Sequence, residues 1–242
     1  MTIEARTIEW SLYAEHYDAM CSANPSYQEM ISLVETAVGK LDLPAYPRIL
    51  DIGAGTGNLL YRLCRSMPTA KFVHLDQDPV MVQGAVEKYK EAGLEKRIEV
   101  VAADFLDYKV AEGSFDLILS TNAIYAMHPH EEVLDKVFRM LKEGSHFCVV
   151  DFGRKQNTAD WALYLAISNL KTQGVQKTVK IFMENWEVAR QNRKTTTAQE
   201  DGEYWLHSDA DFVRALKEAG FVVQHSQPCY RNYSDFAMCL KP

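Results

Sequence analysis

A doubly wound α/β fold with a mostly parallel sheet is predicted by three features of this chain. Short apolar runs alternate with helical apolar spacing from residue 46 to 152, the pattern of βαβ units. The first run, Arg48 to Ile52, passes into a turn with glycine at alternate positions, Gly53, Gly55 and Gly57, and a helical pattern follows from Leu59 to Cys64. Five polar residues, Asp51, Asp76, Asp104, Asn122 and Asp151, fall at the carboxyl ends of successive runs. That is the edge on which such sheets bind ligands.

Size and composition set the outer limits. The chain has 242 residues, 47% hydrophobic and 24% charged, which suits one large domain or one domain carrying an inserted cap. A net charge of −7 argues against a nucleic-acid partner, because phosphate neutralisation by Lys and Arg dominates such binding. No apolar run is long enough to span a bilayer, so no membrane partner is expected. Met1 to Arg6 is mixed in charge, without the apolar core of a signal peptide. Five cysteines without a Cys-x-x-Cys pair suit a reducing, cytoplasmic setting. No internal repeat is present.

Residues 1–45 precede the first strand. Trp10, Tyr13, Tyr17 and Met20 recur at helical spacing and give one aromatic face. A second helix is expected from about Tyr27 to Leu41, and Pro44 and Pro47 then break the chain. The glycine turn differs from the dinucleotide fingerprint Gly-x-Gly-x-x-Gly: its third glycine comes one residue early, and Asn58 stands where that fingerprint wants glycine. The carboxylate of Asp51 would repel a diphosphate and suits a ligand bearing an ammonium group.

This stretch resembles motif I of the class I S-adenosylmethionine (SAM) methyltransferases, and Asp51, Gly53, Gly55 and Gly57 match that motif in full. The resemblance implies a seven-stranded sheet and SAM as cofactor, with S-adenosylhomocysteine as product. It places Asp51, Gly53, Ala54, Gly55, Gly57 and Asn58 at the cofactor. It also implies that a segment like Tyr13-x-x-x-Tyr17-Asp18 closes over the site, Tyr17 toward SAM and Tyr13 toward the substrate. Packing of the same aromatic face on the domain is the alternative, and the two are compatible.

The second strand, Ala70 to Asp76, ends in an acid nineteen residues past Gly57. An acid there hydrogen-bonds a ribose diol in dinucleotide and SAM folds alike, so Asp76 is the expected ribose ligand and Gln77 lies beside the adenine. Asp78-Pro79 reads as an N-cap with proline at the first helical position, opening a helix to Ala92 before Gly93. The third strand, Ile98 to Ala102, leads into Asp104 and Phe105. The resemblance makes these the acceptor for the adenine amino group and the apolar surface beneath the purine.

Phe115 to Leu119 forms a fourth strand buried on both faces. The residues after it face the reacting centre in this family. Amino-adenine methyltransferases carry Asn/Asp-Pro-Pro-aromatic there; Asn122-Ala123-Ile124-Tyr125 lacks both prolines, which argues against a DNA base. Asn122 to His128 instead looks like the corresponding segment of the ubiquinone/menaquinone-biosynthesis type. Asn122 is assigned to the cofactor, and Tyr125 and His128 to the acceptor. His128 is the candidate general base, with stabilisation of the turn before a helix from Pro129 to Leu141 as its alternative. The metal-dependent catechol enzymes place an acid after this strand, where the chain has Ser120-Thr121-Asn122, so no metal is expected.

The fifth strand is expected from Gly144 to Phe152. Residues 154–200 do not belong to the sheet; helical patterns cover Trp161 to Ile167 and Val179 to Trp186. The resemblance implies a helical cap over the substrate, with Trp161, Tyr164 and Trp186 as wall residues. From Arg154 to Gln199 eight Lys or Arg stand against three Asp or Glu, a balance of +5 that leaves −12 for the remainder. These charges either form solvated faces or draw in an anionic acceptor. Ser208 to Asp211 resembles a capping box opening a helix to Ala219, and two late strands, Phe221 to His225 and an antiparallel Phe236 to Leu240, complete the sheet. The expected division is a lid at 1–45, a SAM-binding domain at 46–153 and 201–242, and a cap at 154–200.

The function implied is in-line transfer of a methyl group to O, N, S or C of a small molecule by a cytoplasmic enzyme, monomeric or homodimeric. Positioning supplies much of the rate in such chemistry. A carrier-protein-bound or other macromolecular acceptor, and a SAM-binding protein without turnover, are the alternatives. An NAD-dependent oxidoreductase is disfavoured by the glycine spacing.

Overall fold

The structure, a computed structural model, describes residues 10–184, 197 and 199–242. Its sheet is built outward from β1 (Arg48–Ile52), whose Ile49, Leu50 and Ile52 are fully buried. A strand apolar on both faces must be central and covered on both sides. Accordingly β1 pairs in parallel with β2 (Lys71–Asp76) on one side and β4 (Phe115–Thr121) on the other. Beyond β2 lies β3 (Ile98–Ala102), and beyond β4 lies β5 (Leu141–Phe152), both parallel. The sheet closes with β7 (Ser234–Leu240), antiparallel to β5, and β6 (Val222–Cys229) outside it. The order β3-β2-β1-β4-β5-β7-β6 reverses its winding between β1 and β4, which creates the crevice where such sheets take ligands.

Side chains alternate along a strand, so the two faces carry separate cores. Ile49, Phe72, Leu117 and Val150 join residues of α2 (Pro25–Val38), α3 (Asn58–Ser66) and α4 (Pro79–Glu91) on one face. Leu50, Val73, Ile118 and Val149 join α5 (His130–Met140) and α8 (Asp209–Glu218) on the other. Before α2 runs α1 (Trp10–Ala23); after β5 come α6 (Thr158–Gln173) and α7 (Val175–Glu184).

The strands sit where the apolar runs placed them, and the seven-stranded class I order is present. The boundaries differ in instructive ways. Asn24 caps α2 by accepting from Ser26 and Tyr27 N–H, so the helix opens at Pro25. Fully buried Leu141 pairs with Phe115, and β5 therefore starts three residues before Gly144. Asp78 caps α4 as expected, and Ser208 with Asp211 closes the predicted capping box of α8. Among the described residues no helix is long and apolar enough to cross a membrane.

Candidate functional site

The glycine turn after β1 is pressed between two neighbours. Gly53 and Ala54 N–H both donate to Leu75 O at 2.8 and 3.1 Å, which ties the turn to the end of β2. A side chain at Gly53 would put its Cβ 2.3 Å from that of Ala123, and one at Gly57 would put it 2.0 Å from the Tyr89 hydroxyl. Gly57 also has φ +78°, a left-handed value that glycine adopts without penalty. Tyr89 O–H donates to Gly57 O at 3.4 Å and lies 3.0 Å from His74 Nδ1. One hydroxyl proton cannot serve both, so Nδ1–H of a neutral His74 is the other donor. Burial, then the nearby Lys88, push the His74 pKa down to about 4, which keeps the ring neutral.

Asp51 shares the face of Ile49 and pairs in register with His74. It is 1% exposed, and neither carboxylate oxygen has a hydrogen-bond partner. Burial and then the Asp76 charge hold its carboxyl well above the usual range.

Above the turn lies a cavity of about 330 Å³. Gly53, Gly55, Leu75, Asp76, Gln77, Asp78 and Met81 line it from the β1 and β2 ends, and Ala103 to Leu106 from the β3 end. Thr121 to Ala123 and Tyr125 to His128 line it after β4, and Tyr17 of α1 reaches it from above. Asp76 accepts Gly55 N–H at 2.7 Å with one oxygen and Asp78 N–H at 2.9 Å with the other. Asp104 is exposed and accepts Leu106 N–H at 2.7 Å. Phe105 is buried, and Lys136 holds its backbone by donating to the carbonyls of Phe105, Leu106 and Tyr108. The lining carries the carboxylates of Asp76, Asp78 and Asp104 and no Lys or Arg among the described residues. Such a field favours a cationic ligand rich in donors and disfavours a diphosphate.

The segment after β4 forms the opposite wall. Asn122 has φ +52° and is held by Ser234, whose hydroxyl donates to its Oδ1 at 2.9 Å. Tyr125 is buried edge-on against Phe152 and Tyr204. Burial raises its pKa well above the phenol range, so it serves as a donor and not as a base. His128 is exposed, with Nε2 2.7 Å from Glu203 O. A carbonyl only accepts, so Nε2 carries the proton and Nδ1 of a neutral ring keeps its lone pair.

Not every expected residue reaches the cavity. Asp51, Ala54, Gly57 and Asn58 stand beneath or beside it and do not line it. Asn58 instead joins a latch to α1. Asp18 accepts from the Thr56 hydroxyl at 2.6 Å and from Asn58 Nδ2 at 3.0 Å, and it pairs with Lys88 at 2.7 Å. Trp161 and Tyr164 pack at the base of α6 under the Arg231 guanidinium, 4.9 and 4.2 Å from the ring centroids. Trp186 and the side chain of Tyr13 lie outside the described residues. Arg154 pairs with Asp235 and Lys155 with Glu200, so these two cations of the insertion face carboxylates and not the cavity. Sequence reasoning missed the segment 203–207, which lies along the post-β4 wall: Trp205 N–H donates to Tyr125 O at 2.9 Å. Its residues follow no helix or strand period that would have marked it. Among the described residues no group of three His, Cys, Asp or Glu side chains is placed to hold a metal ion.

Comparison with known proteins bears on the family and the fold. A family model described as a methyltransferase domain matches residues 46–208. The mitochondrial 2-methoxy-6-polyprenyl-1,4-benzoquinol methylase of Caenorhabditis elegans is 30% identical over 133 residues, 54% of this chain and 46% of that protein. The ubiquinone/menaquinone biosynthesis C-methyltransferase of Dinoroseobacter shibae is 23% identical over 194 residues, 78% of this chain and 70% of that protein. The match thus spans about half the length of the worm relative and more of the bacterial one. A SAM-dependent methyltransferase from Aquifex aeolicus shares the fold with a TM-score of 0.63 at 16% identity, covering 93% of this chain and 98% of that one.

Proposed function

This chain belongs to the methyltransferase-domain family, and on that premise we propose that it transfers the methyl group of S-adenosylmethionine to a small, uncharged, largely apolar acceptor. The observation that carries the reading is Asp76: a carboxylate at the end of β2, bonded to the N–H of Gly55, in a cavity lined by acids and by no described cation. The residues present fit SAM. A cavity of about 330 Å³ is within the size range of small-ligand sites. Asp76 offers acceptors to a ribose diol, Asp104 to an adenine amino group, and Phe105 a ring surface to the purine. Asp51, buried one layer beneath the turn with neither oxygen partnered, has its carboxyl held toward the neutral form, so the charge that faces the ligand is that of the lining acids. Tyr17, latched over the site through neighbouring Asp18, shields it from water.

When bound, SAM supplies a methyl group on a cationic sulfur, open to in-line displacement by a nucleophile. The chain's own part is placement. Tyr125, Ala126 and Met127 give the acceptor an apolar wall, which suits an uncharged molecule better than the anionic one that the insertion's charge suggested. The relatives' names, which speak of benzoquinol and menaquinone chemistry, support a small organic acceptor. Tyr125 orients it as a hydrogen-bond donor. His128, with Nε2 committed to Glu203 O, takes a proton at Nδ1 where the acceptor arrives protonated. Of the N-terminal segment, α1 acts as a lid through Tyr17 while α2 packs in the core; the described part of 154–200 braces the sheet end beside the site.

Incubation with SAM carrying a trideuterated methyl group and a metabolite extract of the source organism tests this directly. A labelled, uncharged small product is expected by mass spectrometry, with heat-killed protein as control. Binding of S-adenosylhomocysteine without any labelled metabolite would sink the small-molecule reading. Stabilisation by NAD and not by S-adenosylhomocysteine in a thermal-shift titration would sink the family chemistry.

A further inference from the structure

Away from the cavity, buried charge gathers at the border of β5 and β7. Asp151 and Asp235 are register partners there, and neither side chain is exposed. Opposite residues on paired strands hold their side chains close on one face, so two carboxylates in this position repel unless a cation stands with them. His207, when protonated, supplies one. Its unexposed ring places Nδ1 3.5 Å from Asp235 and Nε2 3.9 Å from Asp151, and Arg154 pairs with Asp235 as well. The ring of Phe212 stacks on the imidazole at 4.6 Å and 12°. A Cβ at Gly153 would lie 2.7 Å from His207 Nδ1, so the histidine occupies space that only glycine at 153 leaves open.

His207 also ends the segment that runs along the post-β4 wall. His207 N–H donates to Gly153 O at 3.0 Å, and Trp205 N–H to Tyr125 O at 2.9 Å. Trp205 stacks on His130 at 4.0 Å and 10°. Tyr204 meets Tyr125 edge-on at 5.0 Å, and Glu203 O takes the proton of His128 Nε2. Phe152 meets Tyr125 edge-on from β5, and segment 203–207 adds a backbone bond and a ring contact to Tyr125 and the hydrogen bond to His128. We propose that His207 is a positioning residue of the active site: held as a cation between Asp151 and Asp235, it pins segment 203–207 and thereby fixes Tyr125 and His128. This rests on the reading of the cavity given above.

The charged groups around the ring set the pH behaviour. Asp151 faces it from β5, Asp235 from β7, Arg154 from the turn after β5, and His130 from α5 beyond Trp205. Burial pulls the His207 pKa down, but the two carboxylates outweigh it and the net direction is up. Burial raises Asp235, yet His207 and Arg154 bring it below the usual carboxylate range. Burial raises Asp151 more than His207 lowers it. A raised imidazole stabilises fully below its ordinary value, and that contribution is lost as pH climbs through the folded value. The pin therefore loosens on the alkaline side.

Hydrogen exchange of the full chain, read at the Trp205 and His207 amides, tests the proposal without knowledge of the acceptor. In His207→Gln the protection of both amides should fall roughly tenfold or more while β1 amides hold. Affinity for S-adenosylhomocysteine should stay within about threefold, because the hydrogen bonds and ring contacts described for the segment go to Tyr125, His128, His130, Gly153 and Phe212 and not to Asp76 or the glycine turn. With the acceptor in hand, kcat should fall and the KM for SAM should not. The wild type gives a second arm if the variant fails to fold. Between about pH 6 and about pH 9, after correction for intrinsic exchange, protection at Trp205 should drop while β1 stays constant. Unchanged protection in the variant, or pH-independent protection in the wild type, overturns the proposal. So does loss of cofactor affinity in step with protection, which would make His207 a residue of general stability. Failure of the wild type to bind S-adenosylhomocysteine would count against the family chemistry instead, and the exchange results would still decide the role of His207.

Discussion

Replacing Asp76 by alanine removes three things at once, and their sizes differ. Two backbone donors, Gly55 N–H and Asp78 N–H, lose an acceptor at 2.7 and 2.9 Å. Both lie beside the cavity, where water can replace the carboxylate, so the loop loses about 1 kcal/mol of preorganisation. On the proposed binding mode, a ribose held by Asp76 would lose charge-assisted hydrogen bonds worth about 1.5–3 kcal/mol. The sum, about 2.5–4 kcal/mol, corresponds to roughly 60- to 700-fold weaker binding of S-adenosylhomocysteine. Calorimetric titration measures it. Stability should move little, because burial already raises the Asp76 pKa and removal of the group relieves that desolvation. Asp76→Asn is the sharper control. One amide face must then point N–H at a backbone N–H, whichever way it flips, so asparagine should fall close to alanine. Affinity of Asp76→Ala within about threefold of wild type, or full rescue by asparagine, would refute the argument that an acceptor pair holds both turn and ligand.

Gly57→Ala should destabilise the chain by about 2–5 kcal/mol, of which about 1–2 comes from the left-handed backbone and the rest from overpacking against Tyr89. At about 2–4 °C per kcal/mol for a chain of this size, the midpoint of thermal unfolding should fall by roughly 5–20 °C in a calorimetric scan. A drop of under about 2 °C would mean that Tyr89 swings aside and does not brace the turn. His128→Ala should leave S-adenosylhomocysteine affinity unchanged and slow transfer to a protonated acceptor by roughly a hundredfold or more, read in single-turnover experiments. An unaltered rate would reduce His128 to a hydrogen-bond post for Glu203.

The central strands were legible because a strand buried on both faces is an unbroken apolar run, as Phe115 to Leu119 is. Asp76 was legible because its distance from Gly57 is set by one helix and one strand. Asp51 shows where such reading stops. A sequence places an acid at a strand end, and the period of two then decides which face it takes; Asp51 follows Ile49 and turns toward His74 and Tyr89 rather than the cavity. The insertion shows a second limit. Trp161 and Tyr164 satisfy any apolar wall equally well, and what claims them is Arg231 in the turn between β6 and β7. That turn holds Tyr230, Arg231 and Asn232 at φ +49°, +58° and +64°. Three successive left-handed residues without glycine carry no sequence signal; only the surrounding packing makes them affordable. The early start of β5 was misjudged for a similar reason, because Lys142-Glu143-Gly144 reads as a helix exit until the pairing of Leu141 with Phe115 is known.

The two walls of the cavity are therefore supported in different ways. The cofactor wall is carried by β1, β2 and β3 and braced locally: Asp76 holds Gly55, Tyr89 holds Gly57, and Lys136 holds the Phe105 backbone. These three supports come from residues 48–140, the stretch whose pattern was readable, and Asp18 of α1 adds a fourth. The acceptor wall after β4 leans on residues 203–207, which arrive only after the chain has passed through α6 and α7. Their anchorage depends on charges at 151, 154 and 235. Substitutions on that side can reshape Tyr125 and His128 while Asp76 and the glycine turn stay in place. Damage to the first wall should thus appear as lost affinity for S-adenosylhomocysteine, and damage to the second as slow transfer at full occupancy. A variant at 203–207 that weakened cofactor binding while leaving transfer intact would show that the two walls are one structural unit.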